Sequence, residues 1–475
     1  MAVDMKREIT AGLALTGNPA VEEAIESILG ALRSAQATIT GVRPPRGELA
    51  ESYQSWLQRQ AAVKGRPPYY PYIGSGIGNG PLVELLDGSV KWDMINGIGV
   101  HMFGHSDAET IAAAVRGAIG DTVMQGNLQF NADSIEFGEL LVEEASKGSG
   151  LRQAFLINTG AMANESALKV CFHKNAPADR VIAFEDCFMG RTLTMAQIGD
   201  SAAFRVGLPL GIHVDYMPYY DPADHEGSIV RAVAQLEKFI NRYPGRHACF
   251  VMELVQGEGG FNVAPREFFV PLMELCRASN IAVFVDEIQT FGRTTRMFHY
   301  DVLGLGEFID VLTLGKMSQV CATMFTEEYN PKPGLLSATF LGSTVALRTG
   351  MSILSRLREG GYYGDGGRIA KLQGSFRRHI KALVDRRRDL FPPLEDGQPV
   401  FGGVGGMMRF TPFGGEKKMV LDACNALFDD GVIAFYCGHD PYHVRFLPAV
   451  GVFEPEMFDD VFEIVERGLD RVARG

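Results

Sequence analysis

The sequence predicts an α/β protein: a mostly parallel, doubly wound large domain with a smaller α/β domain beside it. Three observations carry this expectation. Short apolar, β-branched runs recur at residues 154–158, 181–184, 248–254, 281–285 and 311–314. Helical patterns separate them, and that alternation builds a parallel sheet covered on both faces. At 475 residues the chain is also long enough for two domains.

The elements follow in order. Asn18 is placed to cap a helix, Pro19 suits its first turn, and Val21, Ile25, Ile28, Leu29 and Leu32 mark one apolar stripe. Such a stripe docks on the rest of the protein or on a second subunit, and residues 1–50 read as an N-terminal helical extension. Residues 65–81 are rich in Pro, Gly and Tyr, with Tyr69, Tyr70 and Tyr72 close together. That segment is an extended linker or a pocket wall, and its turn residues alone favour the linker. Short strands are expected over 82–100, with Leu86-Asp87-Gly88-Ser89 as a hairpin turn. A helix at 108–118 then opens the large domain, residues 101–348. Beyond Arg348 come a long helix, a charged helix at 377–388 and a mixed α/β segment. Residues 51–100 and 349–475 are expected to make the small domain together.

Composition excludes several classes. Hydrophobic residues make up 46% of the chain, ordinary for a globular protein. A formal net charge of −12 argues against a nucleic-acid or anionic-membrane partner, either of which favours a basic face. The seven cysteines include no CxxC pair and no zinc spacing, so no metal site is expected and a reduced, cytoplasmic setting fits. The opening Met-Ala-Val-Asp-Met-Lys-Arg-Glu has no apolar signal core, and no run is long enough to span a bilayer.

The chemistry sits where the strand runs end. The run at 281–285 ends in Asp286, and the run at 311–314 ends in Gly315-Lys316. An acid at one buried strand tip and an amine at another suit an aldehyde cofactor with a basic ring nitrogen, pyridoxal phosphate. Paired with that nitrogen, Asp286 would keep it protonated, so the ring can accept electrons. Gln289 is placed to donate to the ring oxygen. Lys316 would bond the aldehyde and later act as the base. Thr159, Gly160 and Ala161 follow the first run, and the amides of a helix start suit a phosphate. Phe188, after the second run, can lie against a flat ring, although most single phenylalanines are core residues. Arg191 suits a two-pronged grip on a substrate carboxylate, against the alternative of a surface salt bridge. Glu253 and Glu258 bracket the end of the third run, with Glu258 able to neutralise an arginine when no carboxylate substrate is bound. A lysine after a strand is commonly an exposed loop residue, so the reading rests on several strand tips agreeing.

These residues carry a resemblance. Met252-Glu253-Leu254-Val255-Gln256-Gly257-Glu258-Gly259-Gly260, Ala264-Pro265-Arg266-Glu267-Phe268, Val285-Asp286-Glu287-Ile288-Gln289-Thr290 and Gly292-Arg293-Thr294 resemble the class III aminotransferases. The likeness covers roughly residues 75–470. It implies the aspartate aminotransferase-like fold and pyridoxal phosphate, with enzymes of the family acting on ornithine, acetylornithine, lysine and 4-aminobutyrate. It matches Asp286 to the pyridine-nitrogen acid, Gln289 to the ring-oxygen partner, Lys316 to the cofactor-bonded lysine, and Gly160 and Ala161 to the phosphate amides. Phe188 takes the stacking place. Thr339 matches a threonine that reaches the phosphate from a neighbouring subunit, which implies a homodimer with shared sites. Arg445 matches the residue that holds the substrate carboxylate, with Glu258 as its removable partner, and Arg191 would hold the far carboxylate.

The pattern departs from the family at Met189, where histidine or tryptophan is usual, and after the lysine, at Met317-Ser318-Gln319-Val320-Cys321. Lys-x-x-Gln-Val-Cys resembles lysine 6-aminotransferases and favours a basic or ω-amino donor. The expected activity is amino transfer by a ping-pong route from such a donor to 2-oxoglutarate. An aminomutase or a decarboxylase on the same scaffold is the alternative. A dinucleotide-binding or non-catalytic protein is a further reading, but no GxGxxG opens a helix with an acid about twenty residues later.

Overall fold

In the computed structural model, residues 10–121, 124–126, 128–394 and 397–475 are described. Residues 1–9, on which the expectation of no signal core rests, lie outside them. The β-branched runs become a seven-stranded sheet in the spatial order Leu151–Ile157, Cys321–Thr326, Val311–Leu314, Ala282–Glu287, His247–Glu253, Arg180–Phe184, His213–Met217. All neighbours pair in parallel except those of Cys321–Thr326, which runs antiparallel to both strands beside it. The central strands His247–Glu253, Ala282–Glu287 and Val311–Leu314 are buried at every position. Strands covered on both faces need continuous apolar runs, which is why these were readable in the sequence.

Register fixes the site. Asp286 lies opposite Thr313 on one side and Glu253 on the other. The strand that bears the acid therefore lies between the strand that leads to Lys316 and the strand that ends in Glu253. Chemistry accumulates at the carboxyl edge, where helices begin and backbone amides are free.

Further sheets lie outside this one. Gly74–Asn79, Leu82–Leu85, Val90–Asp93 and Val432–Ile433 form one, and Phe401–Val404, Met407–Phe410, His443–Phe446 and Phe435–Cys437 another. The Leu86-to-Ser89 turn closes as expected: Leu85 N–H donates to the Ser89 carbonyl at 2.9 Å. The linker reading of 65–81 is corrected, because Gly74–Asn79 pairs antiparallel with Leu82–Leu85. Its Gly-Ser-Gly-Ile-Gly-Asn sequence has little strand preference, and the pairing partner supplies the order.

The opening helix runs Pro19–Gln36, with the Asn18 side chain accepting from Ala20 N–H. Ile25 and Leu29 are buried against Ala112 of the helix Ala108–Ile119. Ile28 is the exception in the expected stripe: it faces outward, 46% exposed. The charged helix also begins earlier than expected, spanning Arg368–Arg386. No described helix is long and apolar enough to cross a membrane. The seven cysteines are all free and buried.

Candidate active site

A cavity of about 620 Å³ opens at the carboxyl edge of the large sheet. Asp286 and Lys316 both line it. Thr159, Gly160, Ala161, Phe188, Arg191, Glu253 and Gln289 line the same space. Two further predicted residues, Glu258 and Arg445, pair with each other at 2.9 Å and act electrostatically on Lys316, so they flank the same region. Thr339 is the exception. It is exposed, its backbone against Gly126, outside the cavity of its own chain.

Asp286 is buried and held from two sides. Its Oδ1 accepts from Ile288 N–H at 2.8 Å and its Oδ2 from Asn164 Nδ2 at 2.7 Å. Burial nevertheless pushes its carboxyl up to about 6, because two donors do not replace water around a charge. A cationic ring nitrogen facing it would bring the group back to the carboxylate form.

Asn164 was missed in the sequence. It lies within the helix Gly160–Lys174, where a lone polar residue gives no pattern signal. Its Nδ2 also donates to Met189 O at 2.8 Å, and its Oδ1 accepts from Thr313 Oγ1 at 2.7 Å. The Met189 carbonyl can only accept, and so fixes which end of the amide faces Asp286.

Lys316 has a left-handed backbone, φ 56°, and opens the short turn Lys316–Ser318 directly after its strand. Gly315 is required there: a Cβ at that position would come 2.5 Å from Cys321 Sγ. Burial, reinforced by the Arg445 charge, pushes the Lys316 amine down to about 8. A substantial neutral fraction near neutral pH makes it a usable nucleophile and base.

Thr159 caps the helix Gly160–Lys174, accepting from Met162 N–H at 3.2 Å. The Gly160 and Ala161 amides in that first turn have no intrahelical partner. Gly160 is needed for close packing, since a Cβ would meet Ile288 Cγ2 at 2.9 Å. Glu253 is less open than its place on the cavity wall suggests. Its two oxygens accept from Phe188 N–H and Gly257 N–H, each at 2.9 Å, and burial pushes its carboxyl up to about 8. The bond to Phe188 places that half-buried ring on the cavity wall. Gln289 brings a buried Oε1 with no partner among the described residues, and Gly257 lets its amide approach, since a Cβ there would lie 2.7 Å from Nε2.

On the substrate side, Arg445 is wholly buried in the strand His443–Phe446. Its Nη2 donates to Glu258 Oε1, while Nε and Nη1 have no partner among the described residues. Leaving charged donors unpaired in a low-dielectric site is costly, about 1–3 kcal/mol each, so an acceptor that satisfied them would bind strongly. Arg191 is exposed, its guanidinium 3.4 Å over the Phe204 ring.

A buried acid, a buried amine and a helix start around one cavity define a site of the pyridoxal-phosphate type. The Gln289 amide on the cavity wall, whose Nε2 can donate to a ring oxygen, the free amides and the Asp286 carboxyl fit that cofactor. The chain belongs to the class-III aminotransferase family, whose model matches residues 75–469. That family uses pyridoxal phosphate. Among curated relatives, the mitochondrial acetylornithine aminotransferase of Eremothecium gossypii is 30% identical over 284 residues, which is 56% of this chain and 64% of that protein. The match thus spans under two thirds of that relative. A diaminobutyrate–2-oxoglutarate transaminase of Nocardia farcinica is 26% identical over 412 residues, 83% of this chain and 89% of that protein. Among solved structures, the ornithine aminotransferase of Toxoplasma gondii ME49 superposes with a TM-score of 0.73 at 23% identity, covering 88% of this chain and 94% of the other. The lysine aminotransferase of M. tuberculosis gives a TM-score of 0.75 at 20% identity, covering 88% and 99%. At these identities the structures share the fold.

Proposed function

We propose that this protein is a ping-pong aminotransferase that takes the amino group from an ω-amino or basic amino acid and passes it to 2-oxoglutarate. Acetylornithine, ornithine, diaminobutyrate and lysine are the donor types named for its relatives. One observation carries the reading: among the described residues the buried Arg445 has a single anionic partner, Glu258, whose side chain is 29% exposed and so has room to swing away. An enzyme that alternates between an amine end and a carboxylate end needs a cation it can switch off.

In this reading Asp286 holds the proton on the cofactor ring nitrogen, and Asn164 and Ile288 N–H hold Asp286. The Gly160 and Ala161 amides and the Thr159 turn hold the phosphate, and Gln289 meets the ring oxygen. Phe188 lies against the ring, and Glu253 positions Phe188. Bound there, pyridoxal phosphate supplies an electron sink for the bond broken at the amine-bearing carbon. Lys316 Nζ, its pKa lowered by burial, would take the proton from the substrate's amine-bearing carbon and hold it for redelivery. With the ω-amine donor present, Glu258 neutralises Arg445. With 2-oxoglutarate present, Glu258 leaves, Arg445 takes the α-carboxylate and Arg191 the far one.

The active form is a homodimer in which Thr339 of each chain completes the phosphate site of the other. Support comes from its position outside its own cavity and from the exposed apolar residues around it, Phe340 at 54%, Phe130 at 59% and Leu128 at 98%. The free buried thiols favour a reducing compartment such as the cytoplasm.

Each half reaction can be followed separately by the visible spectrum. The purified protein is expected to be yellow, to bleach with borohydride and to lose its colour in Lys316→Ala. Amino donors that bleach the yellow form, with colour restored by 2-oxoglutarate, support the reading. Release of carbon dioxide from those donors without consumption of 2-oxoglutarate would replace it with decarboxylation.

A further inference from the structure

The helix Ala50–Lys64 lies ahead of the region matched by the family model. Only one of its residues, Tyr53, is buried. That side chain is its most buried anchor, and the Tyr53 hydroxyl spends both its hydrogen-bonding roles on one loop. It donates to Pro71 O and accepts from Ile73 N–H at 3.1 Å.

The loop so held carries Tyr69 and Tyr70. Tyr70 is buried, stacks on Phe428 with the rings 4.6 Å apart and 5° from parallel, and donates to Ala434 O at 2.7 Å. Tyr69 sets its edge on Phe435 at 4.9 Å. Phe435 pairs directly across the strands with Arg445, its ring 5.5 Å from the guanidinium, and Tyr436 stacks behind it at 4.6 Å. On another side, Phe261 lies 5.9 Å from the same guanidinium. Arg445 is thus confined by aromatic rings that attract a cation without accepting its N–H bonds in the plane. Such walls hold the fork in place and keep Nε and Nη1 free for a carboxylate.

We propose that Phe435 is a positioning residue for the carboxylate grip of Arg445, and that Tyr53, through the Tyr69–Tyr70 loop, holds Phe435 in place. This rests on the role given to Arg445 under the proposed function. It assigns a task to a helix that otherwise has a single buried residue, and it acts on the dicarboxylate half reaction alone. In the other half reaction Glu258 already fixes Arg445.

The test measures binding of glutarate, an unreactive dicarboxylate, to the cofactor-loaded enzyme by calorimetry, with both half reactions and the melting temperature alongside. Tyr53→Phe removes one hydroxyl and keeps the ring. It is expected to weaken glutarate about fivefold and raise KM for 2-oxoglutarate similarly, with the donor half reaction and melting temperature unchanged. Phe435→Leu is expected to weaken glutarate about tenfold. Trp56→Ala, on the same helix but 42% exposed, is expected to change neither. If Arg445→Ala abolishes glutarate binding while Tyr53→Phe and Phe435→Leu leave it intact, the positioning role is wrong and the grip stands. If Arg445→Ala leaves binding intact, the grip itself is wrong. Equal losses in both half reactions with a falling melting temperature, or a loss in Trp56→Ala matching that in Tyr53→Phe, would reduce the helix to general support and overturn the proposal.

Discussion

Asn164 shows how one uncharged side chain controls a charged one. Its amide bridges Met189 O, Asp286 Oδ2 and Thr313 Oγ1 at 2.7–2.8 Å, all in the buried layer beneath the cavity. Asn164→Ala leaves a buried carboxylate oxygen without its donor, a loss of about 1–3 kcal/mol. The Asp286 carboxyl then rises further above about 6, the proposed contact with the ring nitrogen weakens, and cofactor affinity is expected to fall about tenfold in fluorescence titration. Thr313→Val, which leaves Asn164 Oδ1 without its donor, should give a smaller loss of the same kind. An unchanged affinity in both variants would show that Asp286 holds its geometry without them. The acid and the amine were legible in the sequence because each ends an apolar run. Asn164 was not, because its role depends on which strand tip its helix passes over. Arg445 and Thr339 lay between the two: no local pattern marks either, and only the family likeness drew attention to them.

Among the elements, the joint between the strand Val311–Leu314 and the turn Lys316–Ser318 is under tight steric control. A Cβ on Gly315 would meet Cys321 Sγ at 2.5 Å and Ile288 Cδ1 at 3.1 Å. Cys321 begins the antiparallel strand and Ile288 packs on Gly160, so neither yields without moving the cavity wall. Gly315→Ala is expected to cut kcat at least tenfold in steady-state assays. Its melting temperature should fall by only a few degrees, because the strain is confined to the lysine turn. The same joint explains what sequence reading missed. The strand Cys321–Thr326 follows the turn at once, so its apolar residues read as a variation after the lysine rather than as a new element. His213–Met217 escaped because an edge strand alternates polar and apolar residues over too few positions to be distinctive. Gly74–Asn79 escaped because glycine carries no strand signal at all. The central strands were visible because burial on both faces demands an unbroken apolar run.

For the whole molecule, the carboxyls at this sheet edge tie stability and cofactor binding to pH. Burial pushes Glu253 up to about 8, Glu287 to about 7 and Asp286 to about 6. Each raised group binds its proton more tightly folded than unfolded. The stability it contributes is complete below the unfolded value and is lost as pH rises through the folded one. These carboxyls therefore lower the melting temperature of the cofactor-free protein as pH rises from 5 to 8, a contribution that Glu253→Gln should reduce, while buried His299, pushed down to about 4, acts in the opposite sense. Cofactor binding runs the other way. In the proposed site it requires Asp286 ionised and Lys316 neutral, and burial pushes these groups to about 6 and about 8. Affinity for pyridoxal phosphate should rise between pH 5 and pH 8, so the gap in melting temperature between loaded and cofactor-free protein should widen over that range. Scanning calorimetry of both forms at several pH values checks the two slopes together. A gap that stayed constant would mean that the two groups do not change protonation when the cofactor binds.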